Sequence, residues 1–397
     1  MEPASSWIRI ALFIAFVAWI FIDLLFDDYF LVDSARVSAR LQDWGKDTLN
    51  LMGVLFTNGF AYIPVAFTLL VFVLSKSQMK ALYYFCIFYF GNAVIAWLKA
   101  LFYKGRPWAV HDNLRKTKCE PGLPSGHCIY SIVGYYTIYH FLTDEGYVVQ
   151  RWAKNTMIAV FGVIMTLIIL SRISLGDHSY NQVIMGILLG LNIITNGNFD
   201  QFSRFIKWVA SRPIVVFVPL LILNYGFFLL FGYVNLTFRE NYSLWTQISP
   251  KYCNGTFMVG MAKAHWQSTL LFGGLLFFPY ARVMKHNKST DAPLTIGKIL
   301  LRIGVHSALL LLLMVPQAAV SALEIAPLDN FSRYVWMLTI AAINWMLCGF
   351  LVTRLSKYLL ECFRLNTITD YLHENIEEPL EGGHAASLNF TELNNIA

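Results

Sequence analysis

Charge is what this sequence has least of: Asp, Glu, Lys and Arg make up 14% of its 397 residues. A water-soluble domain carries about a quarter. Hydrophobic residues reach 57% and aromatics 16%, so most of the surface must face something other than water. Cysteine is also sparse. None of the six forms a CxxC pair or stands at metal-ligand spacing from a histidine, which argues against a zinc or redox centre. Repeats of fixed period and low-complexity tracts are missing as well. The net charge of +6 is scattered through short loops, which reads as membrane topology and excludes a nucleic-acid surface.

What fills the chain is apolar runs of the length a bilayer core requires, about 20 residues each. They lie near 7–26, 52–75, 81–102, 127–143, 156–171, 180–196, 213–234, 266–281, 298–322 and 334–353. The expected fold is an all-α, polytopic transmembrane helical bundle of about ten spans. The first run lacks a small-residue cleavage site and reads as an uncleaved span. The tail 356–397 is polar and acidic and reads as solvated.

Lys76, Lys80, Arg151, Lys154, Arg204, Lys207, Arg212, Arg282, Lys285 and Lys288 fall on one side of this ten-span topology. The positive-inside rule makes that side, with both termini, cytosolic. The other side receives 27–50, 103–126, 172–179, 235–265 and 323–333. It also receives the glycosylation sequons that begin at Asn235, Asn241, Asn254 and Asn330. Cys119 and Cys253 fall on that side too; a disulfide and two free thiols fit them equally.

Three polar blocks interrupt the apolar runs. Lys99 and Arg106-Pro107 end the third run; seven residues are about two helical turns, so both cations are expected on one helix face. Pro124-Ser125-Gly126-His127 opens the fourth, where free N–H groups and the helix dipole attract anions. Ser171-Arg172 and His178 lie between the fifth and sixth. Arg172 can grip a phosphate bidentately, His178 can attack phosphorus and His127 can protonate a leaving oxygen. Each block alone fits a headgroup-facing loop or a helix cap equally well. All three fall on one membrane side, under a topology derived without them. Together they supply the positioning and charge that phosphoryl transfer asks for, without a metal or other cofactor.

These blocks resemble the three signature motifs of the type 2 phosphatidic acid phosphatase superfamily, which includes lipid phosphate phosphatases, glucose-6-phosphatases and vanadium haloperoxidases. The resemblance covers about 50–200. It implies a six-helix phosphatase core within 1–210, followed by additional spans over 211–355. It implies His178 as nucleophile, His127 as general acid, and Lys99, Arg106, Ser125, Gly126 and Arg172 as the phosphate holders. The family pattern places an Asp four residues after the nucleophile; here that position is Gln182, which can orient the imidazole but cannot stabilise its charged form. Gln182 and Cys119-Glu120 look like the glucose-6-phosphatase branch, whereas three spans before Lys99 look like the lipid phosphatases. The expected activity is hydrolysis of a phosphate monoester, a lipid phosphate slightly ahead of a sugar phosphate. A non-catalytic transporter or scaffold is the reading of another class. The expected setting is the endoplasmic reticulum or another endomembrane, with the plasma membrane as an alternative, and the site lumenal or extracellular. Trp266, His265 and His306 read as interior or interfacial residues.

Overall fold

The computed structural model describes residues 5–75, 78–111, 114, 120–209, 213–239, 266–277, 304 and 330–351. Their regular structure is helical throughout. In chain order the helices are α1 (Ser6–Val54), α2 (Ile63–Leu74), α3 (Gln78–Phe102), α4 (Gly126–Asp144), α5 (Arg151–Ser174), α6 (Tyr180–Asn196), α7 (Phe199–Val209), α8 (Pro213–Val234), α9 (Trp266–Phe277) and α10 (Asn330–Phe350). A π-turn (Leu55–Gly59) and a 3₁₀ turn (Phe60–Tyr62) join α1 to α2.

Among the described residues, four helices are long and apolar enough to cross a membrane: Ser6–Gly45, Met79–Ala109, Arg151–Ser174 and Ile214–Val234. The pair α6 and α7, bent by 73°, makes a fifth if counted as one broken span. Their outward faces are apolar: Leu25 on α1, Val163 on α5 and Leu223 on α8 are all more than half exposed. So much exposed apolar surface needs a lipid cover, and the fold fits an integral membrane protein.

Among the described residues the expected count of about ten spans is not reached, for identifiable reasons. The run 298–322 lies outside the described residues, apart from Gly304. The run 52–75 is broken by the π-turn and the 3₁₀ turn. Helix α4 is too polar on average to pass as a span, yet twelve of its nineteen residues are buried. It packs against α3, α5 and α6, so protein rather than lipid surrounds it. Ser131 and Thr137 return their hydroxyls to the carbonyls of His127 (2.9 Å) and Val133 (2.7 Å), which satisfies them inside the bundle.

Helix α1 corrects a second expectation. The stretch 27–50, expected as a loop, continues the helix through kinks at Phe26 and Gly45. Three acids of α1 have tertiary partners. Asp23 accepts from Asn181, Asp27 pairs with Lys104 at 2.8 Å, and Asp33 accepts from the Tyr180 hydroxyl at 2.7 Å. Ser38 and Gln42 donate to the carbonyls of Ile173 and Ser174 at the end of α5. These bonds clamp α1 across the ends of α5 and α6.

The sequon asparagine Asn235 is buried and donates to the Ala100 carbonyl at 3.1 Å, so in this fold its amide is not presented for glycosylation. Asn241 and Asn254 lie outside the described residues, as do Cys119, Cys253, His265, His306 and the tail 356–397. Of Trp266 the backbone alone is described, as the first residue of α9.

Candidate active site

Four helix ends meet at one end of the bundle: the C-termini of α3 and α5 and the N-termini of α4 and α6. Helix α3 stops because Tyr103 takes a left-handed conformation (φ 51°), one that side chains other than glycine seldom adopt. Its ring is buried with Trp108 and Leu114, and that burial offsets the backbone cost. Arg106 therefore stands in extended backbone (φ −111°, ψ 151°), not on the helix. The expected shared helix face is corrected accordingly.

Lys99 and Arg106 are instead brought together by a residue the motif reasoning did not assign to the site. Glu120 Oε1 lies 3.2 Å from Lys99 Nζ and 2.9 Å from Arg106 Nη2. Its backbone carbonyl also accepts from Arg106 Nε at 2.7 Å. Arg106 Nη1 then reaches the Asp177 carbonyl (2.8 Å) and His178 Nε2 (3.3 Å). One buried guanidinium thus ties the 120–121 segment to the 177–178 turn.

Arg172 was expected in a loop; it belongs to the last turn of α5 and is buried. It pairs with the Asp177 carboxylate and donates to Thr57 Oγ1. Thr57 comes from the π-turn, whose extra residue re-aims the chain toward the site. Asp177 thus serves Arg172, not the imidazole beside it in sequence.

His178 is almost fully buried. Its Nδ1 lies 3.2 Å from Gln182 Oε1, and Gln182 Nε2 donates to the Gly105 carbonyl at 2.6 Å. A carbonyl only accepts, so the amide nitrogen must face Gly105 and the amide oxygen must face the imidazole. That oxygen also accepts from the Ser179 N–H at 3.4 Å, as in a helix capping box. The imidazole proton therefore sits on Nδ1, and the Nε2 lone pair receives the Arg106 N–H. Burial, followed by the Arg106, Arg172 and Lys99 charges, holds the His178 pKa well below its usual range; the Gln182 hydrogen bond opposes this more weakly.

Gly122 explains how the Gln182 amide fits. A Cβ there would lie 2.4 Å from Gln182 Oε1 and 2.7 Å from the Gly105 carbonyl oxygen. Ser125, the N-cap of α4, donates its N–H to the Gln182 carbonyl at 3.0 Å and makes no side-chain cap, so its hydroxyl does not occupy the first-turn N–H groups. Gly126 opens α4 with the Tyr130 ring 3.6 Å from where its Cβ would be. His127 is buried, its ring centroid 5.9 Å from that of Tyr62 and 6.0 Å from that of Tyr130.

Counting fixed charges, Lys99, Arg106 and Arg172 face two carboxylates, Glu120 and Asp177. The cluster is positive by one charge and lies against a helix N-terminus, an arrangement that binds anions. The residues between α3 and the end of α6 that build it fall inside a known family pattern: 79–197 matches the family model of the PAP2 superfamily. The chain carries a type 2 phosphatidic acid phosphatase (PAP2) domain. That superfamily is one of phosphatases. No curated protein and no solved structure matches the chain. The PAP2 domain begins after α1 and α2, yet Thr57, Tyr62 and the clamping polar groups of α1 come from that preceding segment. It completes the site without belonging to the matched pattern.

Proposed function

We propose that the protein hydrolyses a phosphate monoester without a metal, through a phosphohistidine on His178. The single observation that carries this is the two-sided hold on that imidazole, with Gln182 on Nδ1 and Arg106 on Nε2. It fixes the tautomer whose unprotonated Nε2 lies among cations, its lone pair passing from the Arg106 N–H to phosphorus when substrate binds. In the first step Nε2 attacks phosphorus and the ester P–O bond breaks. The leaving oxygen takes a proton from protonated His127. In the second step His127 accepts a proton from water as the water oxygen attacks phosphorus, and the N–P bond breaks to release phosphate. Lys99, Arg106 and Arg172, with Ser125, the Gly126 N–H and the α4 N-terminus, hold the phosphoryl oxygens.

For the alcohol part of the ester, the position of the site at helix ends fits a lipid phosphate drawn from headgroup level. Glu120 favours a sugar phosphate as the second reading. Its carboxylate is the most exposed group beside the cations, at 22% of its side chain. It offers acceptors to hydroxyls, which a sugar has and the diacylglycerol part of phosphatidate lacks.

Detergent-purified protein should release phosphate in the presence of a chelator, and His178→Ala should abolish that release. A panel of phosphatidate, a sphingoid-base phosphate and glucose 6-phosphate assigns the branch. Acid-labile label transferred from phosphate-labelled substrate to the wild type but not to His178→Ala identifies the intermediate. No release from any of the three by folded protein would overturn the enzyme reading in favour of a scaffold or transporter.

A further inference from the structure

At the other end of the bundle a crevice of about 710 Å³ opens between α1, α3, α6, α7, α8 and α9. It is not the candidate active site. From Tyr83, at its edge, to Lys99 along α3 is a rise of about 24 Å, and from Gln182 to Asn196 along α6 about 21 Å. The walls are apolar, built from side chains such as Phe16, Ile87, Val94, Leu189, Phe217 and Leu271. Phe13, Phe90 and Phe205 line it while remaining about half exposed or more, so it opens sideways into the lipid belt. Helix α7 roofs it, turned 73° from α6. Phe199 and Phe202 of α7 pack edge-on against Tyr83, Ile206 is buried, and Asp200 and Arg204 are exposed. That is the build of a helix lying in the membrane interface.

Among the described residues, no charged side chain lines the crevice. Its polar end is amides: Asn192, Asn196, Asn198 and Gln201. Asn192 Nδ2 donates to the carbonyls of Leu12 (3.0 Å) and Leu188 (2.8 Å), and Asn196 Nδ2 donates to the Asn192 carbonyl (2.8 Å). Those acceptors fix the amide orientation and use both N–H groups of Asn192, which keeps its oxygen to offer, while Asn196 keeps its oxygen and one N–H. An uncharged hydroxyl, which both donates and accepts, matches these amides, whereas burying an unpaired charge among the described apolar walls is costly. We infer that this crevice binds an alkyl-chain lipid with an uncharged hydroxyl head, chain along the apolar walls and hydroxyl on the Asn192 and Asn196 oxygens. The volume lies within the range of small-molecule sites. The inference does not rest on the phosphatase reading.

The test uses the full chain in phosphatidylcholine nanodiscs with a diacylglycerol carrying a photoreactive diazirine at the end of one acyl chain. Adducts should map to the crevice-lining stretches of α3, α6 and α9. Unlabelled diacylglycerol should displace the probe, and the non-hydrolysable phosphonate analogue of phosphatidate should not. Asn196→Leu should weaken diacylglycerol competition about three- to tenfold, the worth of one hydrogen bond, with phosphate release unchanged. Val94→Trp should fill the crevice and remove the adducts. Adducts spread evenly over the exposed faces of α1, α5 and α8, or equal competition by the charged phosphonate, would overturn the inference.

Discussion

Replacing Gln182 by leucine would leave the His178 Nδ1–H, the Ser179 N–H and the Gly105 carbonyl without their buried partner. The imidazole would then be free to take the wrong tautomer. Loss of such an orienting group costs about 10–100-fold in activity, and we expect Gln182→Leu to lose that much kcat with KM nearly unchanged, measured as phosphate release. Glu120 works in the opposite sense. Its carboxylate sits on two of the three cations a phosphate would need. Glu120→Gln should therefore bind inorganic phosphate more tightly and melt lower in phosphate-free buffer, because two buried cations lose their counter-charge. Added phosphate should restore its Tm more than it raises that of the wild type, since a ligand of the native state stabilises by mass action. Equal phosphate shifts in both proteins would remove Glu120 from the anion site. His178 carries a pH signature. Its pKa in the folded chain is depressed, so below about 6.5, the unperturbed value, the unfolded chain takes up a proton that the folded chain refuses. The stability this residue contributes is present above that pH and lost as pH falls toward the depressed folded value. Tm should drop from pH 7 to 5, and His178→Gln should flatten the drop.

Between elements, a tight constraint beside the candidate site is the contact of α4 with α6, where Gly186 and Gly190 stand one turn apart. A Cβ at Gly186 would lie 2.8 Å from the Ser125 carbonyl oxygen and 3.0 Å from Cys128 Cβ; one at Gly190 would lie 3.1 Å from Ile132 Cβ. Small residues at this spacing let two membrane helices approach closely. Gly186→Leu would push α6 from the segment carrying Ser125 and His127. Overpacking of this kind costs about 1–3 kcal/mol. We expect a lower Tm together with lost phosphate release, whereas Gly162→Leu on α5, whose Cβ would meet open space, should leave both intact. Elements also mark where the sequence was readable. Lys99, the 124–127 block, Ser171-Arg172 and His178 could be found because each sits within a few residues of an apolar run whose end is visible as a change in composition. Glu120, Thr57, Gly122 and the true end of α3 left no such mark. Their roles exist only through contacts such as that of Thr57 with Arg172, 115 positions away, and no local spacing encodes those. Residues 27–50 misled for the same reason, since the partners that accept the acids of α1 lie on the α3 loop and α6.

For the whole molecule, the two proposed sites lie at opposite ends of one bundle. The polar site is built where α3 and α5 end and α4 and α6 begin. The amide-capped crevice lies at the opposite ends of α3 and α6, beneath α7. If the apolar belts of α1, α5 and α8 define a bilayer between them, these ends face opposite aqueous compartments. Arg40, exposed on α1, stands two residues from Ser38 and from Gln42, whose side chains bond the end of α5 beside the candidate site. Asp200, exposed on α7, stands at the other end. In a background with all six cysteines replaced by serine, Arg40→Cys and Asp200→Cys should react with a membrane-impermeant maleimide from opposite sides of sealed vesicles. Permeabilisation should expose whichever was silent. Reaction of both from the same side would place the α6–α7 bend within the membrane as a re-entrant turn, and the crevice would then share its face with the candidate active site. The positive-inside rule, applied to Arg151 and Lys154 at the start of α5 and Arg204 on α7, predicts a cytosolic Asp200 end. Asp200→Cys should therefore react in intact cells only after permeabilisation, and Arg40→Cys before it if the protein reaches the cell surface.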